Sequence, residues 1–185
     1  MTSLLEELDL SENNLREAKE TEEVFTHSSL CNLKELRLSR NFLTQEGIFS
    51  FRSLHRLELL DLSHNALTSL STHLKSLVSL KTLDVSFNAL SYLTFDVFSE
   101  LSSLTHLCLS YNSIYFIEPF TFSTSPGLSS LVHLDLAHNS LASNMDKELF
   151  KGLLKLKSLN LSHNRLNPAL VDQIVRPNKH IKIIF

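Results

Sequence analysis

The feature that most constrains this chain is an eleven-residue frame, seen in its plainest form from Leu57 to Leu67 as L-E-L-L-D-L-S-H-N-A-L. Leucine holds the first, fourth, sixth and eleventh places and asparagine the ninth, and the frame recurs seven times, with its asparagine at Asn13, Asn41, Asn65, Asn88, Asn112, Asn139 and Asn164. Successive asparagines lie 28, 24, 23, 24, 27 and 25 residues apart, a period at which self-similarity means stacked supersecondary units. Within a frame, alternation at period two predicts a short strand with Leu60 and Leu62 inward and Asp61 and Ser63 outward. The chain must then turn, and an asparagine amide, with two donors and an acceptor, can serve the backbone of that turn. One such unit cannot bury its leucines alone, so the units must stack.

On these seven matches the chain resembles the leucine-rich repeat superfamily from Leu5 to Leu166 and in part of the remaining C-terminal residues. The resemblance implies an α/β repeat solenoid: a curved horseshoe with a parallel β-sheet on the concave face and short helices, 3-10 turns and loops on the convex face. We read one domain over 1–185, with repeats starting near 5, 33, 57, 80, 104, 131 and 156, and a partial eighth repeat at 167–185. There 167–175 curls back as a short helix with Leu170 and Ile174 on one face, and 180–185 forms a further strand. Neither end carries a cap, so the reading is of a piece of a longer protein, with self-association through the uncapped ends as one consequence.

The returning segments place Leu93, Phe98, Leu101 and Leu104 at spacings that recur at Ile117 and Phe122 and at Phe51, Leu54 and Leu57. The phenylalanines are therefore expected to stack as a second buried ladder. This 24-residue, phenylalanine-bearing form resembles the class of cell-surface and secreted members, of the Toll-like receptor ectodomain type. Longer returns at 16–25 and 146–153 read as helical turns and resemble intracellular members more, while 123–127 reads as a loop on the convex side.

Formal net charge is 17 − 20 = −3, which gives no reason to expect nucleic acid. No apolar run approaches the roughly 20 residues of a membrane span, so this segment is not expected to insert into a membrane. No signal-peptide pattern is read at Met1. Cys31 and Cys108 lie 77 residues apart and are not expected to meet; free thiols fit a reducing compartment. Asn160-Leu161-Ser162 is the one acceptor sequon, making Asn160 a candidate glycosylation site, although the repeat's own Asn-Leu-Ser lettering produces it as well. The preferred location is extracellular or at the cell surface, with the cytoplasm as the alternative.

Packing fixes the inward positions, so specificity must lie in the outward ones. Between the inner leucines stand Asp9, Arg37, Asp61, Asp84, Cys108, Asp135 and Asn160. Two places earlier stand Glu7, Glu35, Leu59, Thr82, His106, His133 and Ser158, and just before the asparagines stand Glu12, Arg40, His64, Phe87, Tyr111, His138 and His163. The concave face is thus expected to offer an apolar centre of Leu59, Phe87 and Tyr111 rimmed by Asp61, Asp84, His106, His133 and Asp135, the composition of a protein-binding patch. The blander reading is that Phe87 and Tyr111 only stack to shield the sheet. Asp61 beside Asp84 is answered either by a basic partner or by solvent and nearby histidine. No metal site is expected, since the histidines follow the repeat lettering. Protonation of all nine histidines would move the charge from −3 to +6, so binding could respond to acid.

Three glycines, and no His-Glu-x-x-His, Cys-x-x-Cys or Gly-x-Ser-x-Gly, leave no support for an enzyme or a cofactor. The function expected is recognition of a protein ligand or co-receptor by a fragment of a receptor or adhesion ectodomain. A cytosolic scaffold or adaptor is the alternative, and a structural spacer stands behind both.

Overall fold

The computed structural model describes residues 4–15, 30–44, 51–70, 72–122 and 127–185. Three-residue strands recur along the chain: β1 (Glu7–Asp9), β2 (Glu35–Arg37), β3 (Leu59–Asp61), β4 (Thr82–Asp84), β6 (His106–Cys108), β8 (His133–Asp135), β9 (Ser158–Asn160) and β10 (Lys182–Ile184). They form one eight-stranded sheet in that order, and every pairing is parallel. The architecture is the parallel-sheet solenoid that the leucine frame implies.

The strands are in register leucine to leucine: Leu36, Leu60, Leu83, Leu107, Leu134 and Leu159 pair in succession, and each is buried. The next inward place of each turn, Leu38, Leu62, Val85, Leu109, Leu136 and Leu161, is buried too. Behind this wall the phenylalanine ladder is present. Phe51, Phe98, Phe122 and Phe150 are buried, with ring centroids 6.2 Å apart between Phe98 and Phe122 and 5.9 Å between Phe122 and Phe150.

Three residues past the end of each of the first seven strands of this sheet the backbone turns left-handed, with φ between 52° and 58° at Glu12, Arg40, His64, Phe87, Tyr111, His138 and His163. That reversal carries the following asparagine inward. Asn139 shows the result. Its Nδ2 donates to Leu136 O (3.1 Å) and Ala137 O (3.2 Å) of its own turn and to Leu109 O (2.9 Å) of the turn before, while its Oδ1 accepts from Ile114 N (3.0 Å). Asn65, Asn88, Asn112 and Asn164 repeat the pattern. Asn41 donates in the same three ways, but its buried Oδ1 has no partner among the described residues. Among the described residues Asn13 donates to Leu10 O and Ser11 O alone. The amide thus bonds adjacent turns together as well as closing its own.

The return side is mostly turns. A 3-10 segment spans Thr72–Ser76, and a second, two-stranded parallel sheet joins β5 (Tyr92–Leu93) to β7 (Phe116–Ile117). Nothing in the residue pattern announced that sheet. The helical turn expected over 146–153 is instead a run of tight turns, with Leu149 N donating to Asp146 O (3.2 Å), Lys151 N to Glu148 O (3.0 Å) and Leu153 N to Phe150 O (3.1 Å). Leu149, Phe150 and Leu153 must all reach the core within five residues, and three-residue turns bring them there. The expected helix at 16–25 lies outside the described residues, as does the 123–127 loop apart from Gly127. The one α-helix among the described residues, α1 (Pro168–Val175), is capped by Asn167, whose Oδ1 accepts from Leu170 N (2.8 Å), and buries Leu170 and Ile174. It returns the chain to β10. No helix among the described residues is long and apolar enough to cross a membrane.

Candidate functional site: the concave face

The outward residues fall into three parallel columns, because every strand of the eight-stranded sheet has the same length and register. The first runs Glu35, Leu59, Thr82, His106, His133, Ser158 and Lys182. The second runs Asp9, Arg37, Asp61, Asp84, Cys108, Asp135, Asn160 and Ile184. The third lies past the strand ends, at the left-handed residues, beyond the buried hydroxyl row of Ser63, Ser86 and Ser110. The expected apolar centre is therefore divided. Leu59 stands beside Thr82 in the first column, while Phe87 and Tyr111 belong to the third.

That third column is a continuous stack of five rings. Centroid separations are 4.2 Å for His64 to Phe87, 4.2 Å for Phe87 to Tyr111, 4.1 Å for Tyr111 to His138 and 3.9 Å for His138 to His163, with planes within 13° of parallel. Phe87 and Tyr111 do stack on each other, and they also stack on the histidines. Left-handed backbone is unfavourable for a bulky residue; aromatic pairs contribute about 0.5–1.5 kcal/mol each beyond burial, enough to offset much of that cost. The faces of Phe87 and Tyr111 are covered by their neighbours, yet the residues stay 42% and 44% exposed. They present a rigid edge to solvent. Sequence reasoning missed this continuity, although the fixed phase of the five residues, one before each asparagine, was a signal for it.

In the second column the aspartates are engaged with the backbone. Asp61 Oδ1 accepts from Ser63 N (2.9 Å), Asp84 Oδ1 from Ser86 N (2.8 Å) and Asp135 Oδ1 from Ala137 N (2.9 Å). Neighbouring like charges are thus each held by an N–H two residues on. Asp9 does the same with Ser11 N (2.9 Å), and its hydrogen bonds to Ser11, helped by Arg37, hold its carboxyl below the usual carboxylate range. Asn160 substitutes for aspartate, its Oδ1 accepting from Ser162 N (3.2 Å) and Ser162 Oγ (2.8 Å). At Cys108 the Sγ lies 3.2 Å from Ser110 Oγ, and burial pushes the thiol above its ordinary pKa. Both cysteines are free thiols, Cys31 exposed and Cys108 half-buried.

In the first column the rings of His106 and His133 stack at 4.6 Å, and His106 Nδ1 lies 2.9 Å from Thr105 Oγ1. Burial, then the charge of His133, lowers the His106 pKa. Between the first two columns runs an open trough of about 350 Å³, lined chiefly by Asp84, His106, Cys108, His133, Asp135 and Asn160. No group of three or more histidine, cysteine or acidic side chains among the described residues could hold a metal ion. The arrangement offers a shallow floor of mixed polar and apolar surface beside a stiff aromatic edge.

No curated protein matches this chain by sequence. Solved structures match its fold. A leucine-rich repeat protein of Leptospira interrogans is 28% identical with a TM-score of 0.74, covering 98% of this chain and 42% of its own. A complex of Latrophilin 3, Unc5D and the leucine-rich repeat part of FLRT2 gives 25% identity and a TM-score of 0.73 over 97% of this chain and 60% of the other. A TLR13–ssRNA13 complex gives 32% identity and a TM-score of 0.57 over 76% and 23%. This chain spans less than two thirds of each of those proteins. The family model described as leucine rich repeat matches residues 31–90 and 78–141, and a second of the same description matches 155–175. With these matches over more than half its length, laid on a parallel solenoid with an asparagine ladder, the chain belongs to the leucine-rich repeat family.

Proposed function

We propose that this chain is a non-catalytic binding module that holds a protein ligand or co-receptor against its concave face, within the ectodomain of a receptor or adhesion protein. The observation that carries the reading is the ring stack from His64 to His163 beside the trough with its aspartates and histidines. Aromatic anchors next to polar groups make binding hot spots. Rings already fixed by stacking lose little rotamer freedom on binding, so more of the contact energy appears as affinity. The trough is open, with no wall to exclude water, which gives acid–base chemistry no enclosed place to act. The FLRT2 likeness supports a receptor or adhesion setting, since that protein was solved in a complex with Latrophilin 3 and Unc5D.

The TLR13–ssRNA13 complex raises single-stranded RNA as a ligand class. The column of Asp61, Asp84 and Asp135 and the net charge of −3 oppose a polyanion on this face near neutral pH. The cytosolic scaffold remains the second reading, favoured by the free thiols of Cys31 and Cys108. Asn160 separates the two settings: a glycan there marks the secretory route, and an unmodified Asn160 in the native protein favours the cytosolic one. For the binding reading, Phe87→Ala and Tyr111→Ala should each weaken partner binding by about 1–2 kcal/mol, measured by calorimetry against Val78→Ala. Silence in both removes the concave face as the site.

A further inference from the structure

A second face carries exposed aromatic residues that the concave reading does not use. In the small sheet, Leu93 and Ile117 pair and are buried, while Tyr92 and Phe116 pair on the outside. Tyr92 and Phe116 are each 43% exposed, and the adjoining Phe95 and Tyr115 are 56% and 59% exposed. Four aromatics in this state show on the order of 400 Å² of surface, within the size at which a monomer's largest apolar patch is often functional and about half of what one partner contributes to a standard interface.

The patch has a socket. The sheet does not continue into the next turn, where the chain makes only the bridge Ala142 to Arg165 before its longer return. A slot of about 100 Å³ is left there, with Tyr115, Phe116, Ile117, Leu141, Met145 and Asp146 among its lining residues. At about 30 Å³ of liquid volume per water, that is room for one aliphatic side chain.

The charge around the slot bears on the occupant, and it includes the cations Lys147, next to Asp146, and Arg165, bridged to Ala142. Asp96 and Glu148 are neutralised by Lys75 (2.8 Å) and Lys151 (3.0 Å). Asp146 and Glu118 have no ion pair among the described residues. Asp146 Oδ1 accepts from Glu148 N (2.9 Å) and Glu118 Oε2 from Phe95 N (2.8 Å), which leaves each carboxylate a second oxygen with no partner among the described residues. A second copy of this chain meeting this face about a two-fold axis would add its own two carboxylates to the interface. We propose that the outer face of β5 and β7 is a second docking surface, for a basic segment of a different protein that seats one aliphatic side chain in the slot and presents lysine or arginine to Asp146 and Glu118.

The test is selection of a displayed library of random 12-residue peptides on the immobilised chain, followed by titration of the enriched peptides. Asp146→Asn with Glu118→Gln keeps both backbone hydrogen bonds and removes both charges, so it reads the charge requirement without unfolding the turn. The expected result is peptides that combine an aliphatic residue with lysine or arginine and lose at least tenfold in affinity for that double variant and for Tyr115→Ala, while Phe87→Ala leaves them unchanged. Peptides without basic residues, equal affinity for the charge variant, or no enrichment overturns the proposal. So does a concentration-dependent dimer, in sedimentation velocity, that is lost in Tyr115→Ala, because it assigns the face to a second copy. Loss of affinity in Phe87→Ala alone places the peptides on the concave face and overturns it too.

Discussion

Replacing Asn139 with alanine tests whether the asparagine ladder holds the turns together. The residue is 8% exposed and makes four hydrogen bonds, all to backbone, two of them to the preceding turn. A net hydrogen bond contributes about 0.5–1.5 kcal/mol, and a buried donor left alone costs about 1–3 kcal/mol. Truncation strands the Ile114 N–H in the core, where Ile114 is fully buried, so Asn139→Ala should destabilise the chain by about 3–5 kcal/mol. Against the usual total of about 5–15 kcal/mol that is a large fraction. Asn13→Ala is the internal control: an exposed residue with two bonds should cost less than about 1 kcal/mol. Asn139→Asp keeps an acceptor for Ile114 but turns a carboxylate toward three carbonyl oxygens, and should cost at least as much as alanine. Urea unfolding followed by circular dichroism gives the global value, and hydrogen exchange at the Ile114 amide reads the bond itself. If Asn139→Ala falls within about 1 kcal/mol of Asn13→Ala and Ile114 keeps its protection, the ladder is not what joins the turns.

The other two columns carry their own expectations. The His106 pKa is lowered by burial and by His133, so between its folded value and about 6.5 the unfolded chain carries a proton that the folded chain does not. The stability this group contributes is complete above about pH 6.5 and is lost as pH falls through the folded value. Imidazole NMR titration should place His106 below about 6.5 and move it upward in His133→Ala; a midpoint at or above the ordinary value contradicts the geometry. Burial raises the Cys108 pKa, whereas Cys31 is exposed, and the thiolate is the reacting form. A thiol reagent at pH 7.5 should label Cys31 first and Cys108 much more slowly. Equal rates would mean that the strand around Cys108 opens readily.

The strands were legible because Leu36, Leu83 and Leu134 alternate with polar neighbours at period two and repeat at one phase. The phenylalanine ladder and the helix with Leu170 and Ile174 inward were legible for the same reason: burial imposes spacing. What the sequence hid lies where backbone geometry decides. Phe87 and Tyr111 sit at left-handed positions that glycine or asparagine would have announced, and ring stacking compensates there instead. Asp61 and Asp84 looked like repelling surface charges, because a hydrogen bond from a carboxylate to an N–H two residues on leaves no mark beyond ordinary repeat lettering. Leu149, Phe150 and Leu153 share a helical face in sequence, yet tight turns deliver them to the core. The pairing of Tyr92 with Phe116 involves strands two residues long, too short for any periodicity to register. Leu59 was grouped with the aromatic residues by its apolarity, and only the register separates them.

The most direct test of binding at the concave face is site-specific photocrosslinking in the native cell. A benzoylphenylalanine placed at Phe87 sits on the exposed edge of the ring stack, and one at Val78, 46% exposed in the turn before β4, serves as the off-site position. The expected result is a discrete protein adduct from position 87, reduced by Tyr111→Ala, and none of that mass from position 78. An adduct from position 78 with none from position 87 would contradict a concave binding site.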